Sequence, residues 1–434
     1  MLRIRRLIAF SGLYGASAIL LKLAGAGVFF WLARSMSVDD YAAFGLLYAL
    51  QQGLATFALA GIVEAVIAFP EVHGTADAGV ELFASANLSF LLMATCSATV
   101  AFIWTLLFRS DASPIGSASV IGGGLLLAFA SLQAQLLRLK ENHVGSLSFS
   151  GLAPLAALAG GMVGVGVAAT APAYFEGSVI GAASAFLLLK SRGVGIWSLP
   201  ARLGNARAIL GAAIPFIAVA VLGWLSGYGN NYVVEFLFPR SEIARFTFAL
   251  TVSSVMQLAA TSLNQVWSPR FFRSLREAAP AEVEKVNRQF YRLQSVVLGV
   301  VGGAAIGLYP TLIRFFGGNL LAYQHMTLEL LLLFAAYLFL CPWWQCYNYY
   351  LAYGQGRELV RIVLLTSVVG LAVWLALMWW IGPLGIYLGF LAQMVLRSLG
   401  IILAARKKWP IAIAWDGVVV GAILTVAGFE VSTL

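Results

Sequence analysis

Apolar residues run along this chain in long blocks, and its polar residues gather in the short breaks between them. A helix needs roughly 20 apolar residues to cross the hydrocarbon of a bilayer. The blocks at 7–33, 41–68, 81–108, 115–139, 144–169, 172–190, 208–236, 246–268, 289–313, 326–351, 359–381 and 383–405 fit that length. They predict twelve spanning helices, so the fold class is an all-α polytopic membrane protein. A further block, 411–429, carries Asp416 and suits either a thirteenth span or a helix lying at the interface.

Composition agrees. Of 434 residues, 61% are hydrophobic and 10% charged, against about 25% charged in a soluble domain. The 44 glycines suit helices that must approach closely in lipid, where no hydrophobic drive holds them together. The net charge of +9 raises the question of nucleic acid, but the distribution of basic residues answers it. With the N-terminus inside, 20 Lys and Arg fall on the inner side, five on the outer side, and Lys22 and Arg397 lie within spans. A four-to-one bias across alternate loops is the positive-inside pattern of an inner (cytoplasmic) membrane protein, and no nucleic-acid partner is expected. The first apolar run continues to about Ala33, too long for a cleaved signal, and is read as a retained helix. Cys96, Cys341 and Cys346 lie in apolar runs and His73, His143 and His325 are scattered, so no metal or cofactor is expected.

No loop is long enough to be a domain. The largest polar stretch, 269–288, reads either as an amphipathic helix on the inner face or as a plain basic loop. Asp40-Tyr-Ala-Ala-Phe44 opens the second span and Glu242-Ile-Ala-Arg-Phe246 opens the eighth, 202 residues later. Six spans separate the copies, so both halves share one orientation, as in a parallel repeat. The chain divides into an N-terminal six-helix bundle (1–190), a cytoplasmic linker (191–207), a C-terminal six-helix bundle (208–408) and an apolar tail (409–434). Substrate is expected in a central cavity between the bundles.

The stretch Leu32-Ala-Arg-Ser-Met-Ser-Val-Asp-Asp-Tyr-Ala-Ala-Phe-Gly-Leu46, followed by Phe57-Ala-Leu-Ala-Gly-Ile62, resembles the opening of O-antigen and polysaccharide flippases. These belong to the multidrug/oligosaccharidyl-lipid/polysaccharide exporter superfamily. Pro215, the Glu242 motif, Pro269, Leu308-Tyr-Pro-Thr-Leu-Ile313 and the glycines near 316–318 extend the likeness over most of 1–405. The family's acid-Tyr-Gly is here Asp40-Tyr41-Ala42, and the tail after 408 has no counterpart in a twelve-helix member. The resemblance implies two six-helix bundles around a cavity that opens alternately to each side. It also implies a job: moving a polyprenyl-pyrophosphate-linked oligosaccharide from the cytoplasmic to the periplasmic leaflet for surface polysaccharide synthesis. Membrane lipids are then partners. Coupling to a proton or sodium ion, and contact with other polysaccharide assembly proteins, stay open.

Polar groups inside spans are costly and are therefore the first candidates for substrate binding. Lys22 sits 16 residues beyond Arg6, too deep to reach either surface easily. It can hold a pyrophosphate or acidic sugar, or pair with a carboxylate. Tyr48, Gln52, Thr56 and Glu64 share one helix face. Glu64 can couple an ion or simply face water. Ser254, Gln257, Thr261, Asn264 and Ser268 form a stripe at spacings of 3 and 4, and Tyr337, Cys341, Gln345 and Asn348 form another beside Pro342, Trp343 and Trp344. Amides, hydroxyls and aromatic faces suit a glycan-lined cavity, while interhelical hydrogen bonding is the plainer reading. Arg397, one turn after Gln393, is the better phosphate candidate, and Arg138 the better anchor.

Two rivals remain. A multidrug/cation antiporter of the same superfamily has similar length, but usually places an acid deep in the first half, where this chain has Lys22. A membrane-embedded glycan polymerase usually carries a large outside loop that is missing here. No phosphate-binding Gly-Lys-Ser/Thr loop is present, and no enzymatic activity or catalytic residue is expected.

Overall fold

Helices in this chain start and stop where local chemistry requires. The computed structural model describes residues 20–68, 76–108, 114–199 and 204–433, and its first helix, α1, occupies 20–35. Ser37 caps α2 (Val38–Leu59), accepting the Asp40 N–H at 3.1 Å, with Asp39 and Asp40 in the first turn, where carboxylates favour the positive end of the helix dipole. The chain breaks at Ala60–Gly61 and resumes as α3 (Ile62–Ala68). Gly61 has φ +72°, and a Cβ there would lie 2.8 Å from the Ala213 carbonyl oxygen and from Phe216 Cβ. Both backbone and packing therefore demand glycine.

There follow α4 (Ala76–Phe108), α5 (Pro114–Leu139) and α6 (His143–Leu147), which passes through a π turn at Ser148–Leu152 into α7 (Ala153–Val167), and then α8 (Ala171–Ser191). The rest of the chain forms α9 (Gly204–Leu225), α10 (Asn230–Leu237), α11 (Arg240–Glu277), α12 (Pro280–Phe316), α13 (Thr327–Leu338), α14 (Leu340–Ala352), α15 (Gly356–Ile381), α16 (Leu384–Arg406) and α17 (Trp415–Thr433). Among the described residues, eleven helical segments are long and apolar enough to cross a membrane. Trp415–Thr433 is one of them, so the tail left open by the sequence meets the length and polarity of a span. The protein is an all-α polytopic membrane protein.

The stretch 269–288 is not a separate amphipathic helix. α11 and α12 run through it as helices of 38 and 37 residues. At about 1.5 Å per residue each is far longer than the roughly 30 Å of hydrocarbon, so their polar ends extend past it. The turn comes at Ala278–Ala279, both extended, with Pro280 opening α12, where its missing N–H does no harm.

Backbone contacts sort the chain into two units, residues 1–28 with 35–233, and residues 29–34 with 234–434. Within the first unit, α7 and α8 pack through paired glycines. A Cβ on Gly160 would lie 2.2 Å from the Gly177 carbonyl oxygen, and one on Gly181 would lie 2.0 Å from that of Ala156. Such close backbone approach is how small residues hold helices together in lipid. The segment 192–199 is pinned to this unit by Asn87 and Gln133, which bond the Ile196 backbone at 2.7 and 2.8 Å. Backbone contacts also place α9 and the start of α10 with this unit, where Trp224 Nε1 of α9 and Asn231 Nδ2 and Tyr232 Oη of α10 donate to the α2 carbonyls of Ala49, Gly45 and Leu46.

In the second unit, α12 and α17 repeat the small-residue device. A Cβ on Gly299 would lie 2.4 Å from Gly421 Cα, and one on Gly428 would lie 2.0 Å from the Gly303 carbonyl oxygen. The repeated motif has the same local role in each unit. Asp40 and Glu242 both stand in a first helical turn, and behind them Tyr41, Ala42 and Phe44, or Ile243, Ala244 and Phe246, are fully buried.

Candidate functional site

Lipid offers no partner to a polar side chain, so the partner each intramembrane polar group finds is the first thing to establish. Three of the expected site residues, Asn264, Asn348 and Gln345, find theirs in the protein. Asn264 on α11, Tyr291 on α12 and Asn348 on α14 are buried together. The Tyr291 hydroxyl donates to Asn264 Oδ1 at 2.6 Å, and Asn348 Nδ2 donates to Asn264 Oδ1 at 3.0 Å and to Tyr291 Oη at 2.7 Å. Ser268 Oγ completes the group by donating to Asn348 Oδ1 at 3.1 Å. This network joins three helices and uses both amide atoms of Asn348, the Tyr291 hydroxyl and the Asn264 carbonyl oxygen within the fold. Gln345, also buried, is used elsewhere. Its Nε2 donates to the Ala412 carbonyl at 3.0 Å, and its Oε1 accepts the Ala414 N–H at 3.4 Å. Here the expected glycan-lining amide fastens the connection between α16 and α17. Trp409, in the same connection, meets Tyr349, Tyr350 and Tyr353 at 5.7, 4.9 and 5.4 Å between ring centroids.

The stripe on α11 therefore divides. Asn264 belongs to the network, and Thr261 turns its hydroxyl back to the Gln257 carbonyl at 2.8 Å. Gln257 itself is exposed and free to meet a ligand.

In the first unit, Lys22 on α1 is exposed and has no hydrogen bond or ion pair among the described residues. Gln52 is half-buried, and its carbonyl takes the Thr56 hydroxyl at 2.7 Å. Thr56 in turn lines a cavity of about 320 Å³ at the α2–α3 break, with Gly61, Val63, Gln135 and Phe216. Glu64 lies on α3, and its side chain is outside the described residues. Asn230 was not foreseen. It opens α10, is fully buried, and neither of its amide atoms has a partner among the described residues. The pair Asn230-Asn231 after two glycines was its only signal.

Arg397 is the other exception. It lies 13 residues into α16, about 20 Å along the helix. Its guanidinium stands over the Trp343 ring, with Cζ 4.9 Å from the centroid. Among the described residues it has no carboxylate partner and no hydrogen bond, and its Nε is buried. The acids of this unit that form ion pairs do so elsewhere: Glu242 and Glu329 with Arg245, Glu358 with Lys408, and Asp416 with Arg288 and Arg292. Arg397 is thus brought close to neither Asn264, Asn348 nor Gln345 by any bond.

No family model matches the sequence, and no curated protein matches it. Solved structures do share its fold. The chain is similar to the lipid II flippase MurJ in an inward closed conformation, with a TM-score of 0.72 at 14% identity over 97% of each chain. It is similar to the MATE multidrug transporter DinF-BH in complex with R6G, with a TM-score of 0.63 at 12% identity over 93% of this chain and 95% of that one. The eukaryotic MATE transporter AtDTX14 gives 0.54 at 13% identity over 96% of this chain and 95% of that one. At such identities the likeness is one of fold. The protein has the fold of transporters of the multidrug/oligosaccharidyl-lipid/polysaccharide exporter superfamily, and the resemblance seen along residues 1–405 holds at that level.

Proposed function

We propose that this protein, sharing its fold with a lipid II flippase and with multidrug exporters, is a flippase for a polyprenyl-pyrophosphate-linked oligosaccharide. It moves the lipid-linked glycan from the cytoplasmic to the periplasmic leaflet of the bacterial inner membrane by alternating access, with its N-terminus in the cytoplasm, and serves surface polysaccharide synthesis. The observation that carries this reading is the cation without an acid: Arg397 is inside a span with no carboxylate and no hydrogen bond among the described residues. A guanidinium is expensive in lipid unless something pairs with it, and an anionic headgroup supplies that pair. Lys22, likewise without a partner among the described residues, is the matching group of the first unit. Gln52, Gln257 and Thr261 are proposed to meet the uncharged part of the substrate, with Glu64 as the ion-coupling candidate, while Asn264, Gln345 and Asn348 hold the helices in place. An interior-negative potential favours outward movement of an anion, by about 2.3 kcal/mol per charge per 100 mV.

The alternative is a multidrug/cation antiporter, favoured by the TM-score of 0.63 to a MATE transporter. Mass spectrometry of lipid-linked glycans decides between them, in a strain lacking this chain, with sidedness read from enzymatic access in inverted vesicles. Build-up of a pyrophosphate-linked oligosaccharide on the cytoplasmic face, with surface glycan lost, supports the flippase and names its cargo. Normal export with no build-up moves the antiporter to the front. Within the flippase reading, replacing Lys22 and Arg397 together with Gln is expected to stop transport, and intact transport in that variant would remove both residues from the substrate path.

A further inference from the structure

We infer that α14 and α16 form an oxyanion subsite, in which Arg397, Trp343, Trp344 and Gln393 recognise an acidic group carried next to a ring. The natural ligand's identity rests on the flippase reading. The binding chemistry is a property of these residues alone.

The geometry is a corner of aromatic rings closed by a cation. Trp343 and Trp344 meet at 4.5 Å between centroids and 73°, Tyr347 stacks on Trp343 at 4.6 Å, and Tyr347 stands at 89° to Trp344 at 5.0 Å. Arg397 covers Trp343 with its Cζ 4.9 Å from the ring centroid. With one face of the guanidinium taken by an indole, its N–H edge is what remains to meet a ligand. Gln393 precedes Arg397 by one turn on α16 and is packed against Gly370 of α15, where a Cβ would lie 2.7 Å from Gln393 Cγ.

The polar atoms left over specify the ligand. Arg397 Nε, Trp343 Nε1, Trp344 Nε1 and both amide atoms of Gln393 are buried without a hydrogen-bond partner. Gln393 and Trp343 are 2% and 7% exposed, so water is a poor substitute for the missing partners. Guanidinium and indole nitrogens can only donate. Of the unpartnered atoms, then, all but the Gln393 carbonyl oxygen are donors, and one belongs to a permanent cation. A cation has no place there, and a neutral hydroxyl, with two lone pairs and no charge, would leave most of the four donors unmet and the guanidinium without a countercharge. A carboxylate or phosphate offers several acceptor oxygens and a countercharge, and it suits the planar N–H edge of arginine. The half-buried faces of Trp344 and Tyr347 suit the flat apolar side of a ring beside that group.

That anion has two possible sources in a lipid-linked glycan: the carboxylate of an acidic sugar or the phosphates of the carrier. Titration of the purified full chain in detergent separates them, using glucuronate, inorganic pyrophosphate and glucose at constant ionic strength, with tryptophan fluorescence and melting temperature as readouts. At least one of the two anions is expected to saturate, and glucose is not. A glucuronate response assigns the subsite to the sugar and a pyrophosphate response to the carrier. Arg397→Gln is expected to weaken the anion tenfold or more. Trp344→Phe, which keeps the ring and the charge but loses one N–H, is expected to weaken it several-fold and decides the matter if the arginine variant does not fold. No saturation by either anion, or wild-type affinity in both variants, overturns the subsite. Flat titrations would leave the flippase reading on its fold and its lipid-linked cargo. Failure of glycan to build up in the deletion strain would remove the flippase and leave the anion titrations standing.

Discussion

Asn348 offers the sharpest test of whether a polar stripe lines a substrate path or joins helices. The side chain is fully buried, and its amide takes part in three hydrogen bonds, to Asn264, to Tyr291 and from Ser268. Asn348→Ala removes all three. Ser268 keeps its bond to the Asn264 carbonyl and Tyr291 keeps its bond to Asn264, so no partner is left wholly unsatisfied. Side-chain hydrogen bonds between membrane helices average about 0.6 kcal/mol, which puts the loss near 2 kcal/mol before any relaxation of the small void. The expected result is a melting temperature in detergent lower by a few degrees, with glycan export per folded molecule unchanged. Asn264→Ala, which removes two side-chain bonds, should give a somewhat smaller loss, and the double variant about 0.6 kcal/mol less than the sum, because the two share one bond. Unchanged melting together with lost export would refute the network as a structural element and return Asn348 to the substrate path.

Other consequences follow from the packing. Gly177→Ala on α8 puts a Cβ 2.1 Å from the Gly160 carbonyl oxygen of α7, so α7 and α8 must part; overpacking of this kind costs about 1–3 kcal/mol, and the variant should melt early, while Gly166→Ala on α7, with open space around it, should not. Gly61→Ala meets both a left-handed backbone and the Ala213 carbonyl at 2.8 Å. It is expected to cost more than the roughly 1–2 kcal/mol of the backbone alone, read as lost thermal stability, and a neutral result would mean that the α2–α3 break can straighten. Asp416→Asn loses ion pairs to Arg288 at 3.7 Å and Arg292 at 3.2 Å. All three side chains are 40% exposed or more, so the change should be under about 1 kcal/mol and shrink further in high salt.

The spans were legible because crossing a bilayer demands length and apolarity, and both are visible without any partner. The repeat was legible at Asp40 and Glu242 because an acid near a helix start has a local cause, the dipole and the first unpaired N–H groups. The break at Gly61 was hidden: a glycine among alanines and leucines looks like any packing glycine until its φ is known. The hairpin of α11 and α12 was hidden for the opposite reason. Its charged helical ends look like a surface helix, and only the continuity of the backbone through Pro269 shows that no new element begins there.

What spacing cannot supply is the far side of a contact. Ser254 to Ser268 lie on one face of α11, as their spacing requires, yet Thr261 bonds to its own helix, Asn264 to two others, and the Gln257 amide to no described residue. Gln345 and Asn348, three residues apart on α14, serve a loop and a helix bundle. In lipid an amide is satisfied cheaply by another amide, and so most intramembrane amides end as joints. A guanidinium has no such neighbour in an apolar span: it needs an anion, and in this unit the ion-paired acids are all engaged with other cations. That difference separates amides joined inside the fold from a guanidinium that has no anion among the described residues. It makes Arg397, rather than the longer polar stripes, the first residue to test for substrate binding.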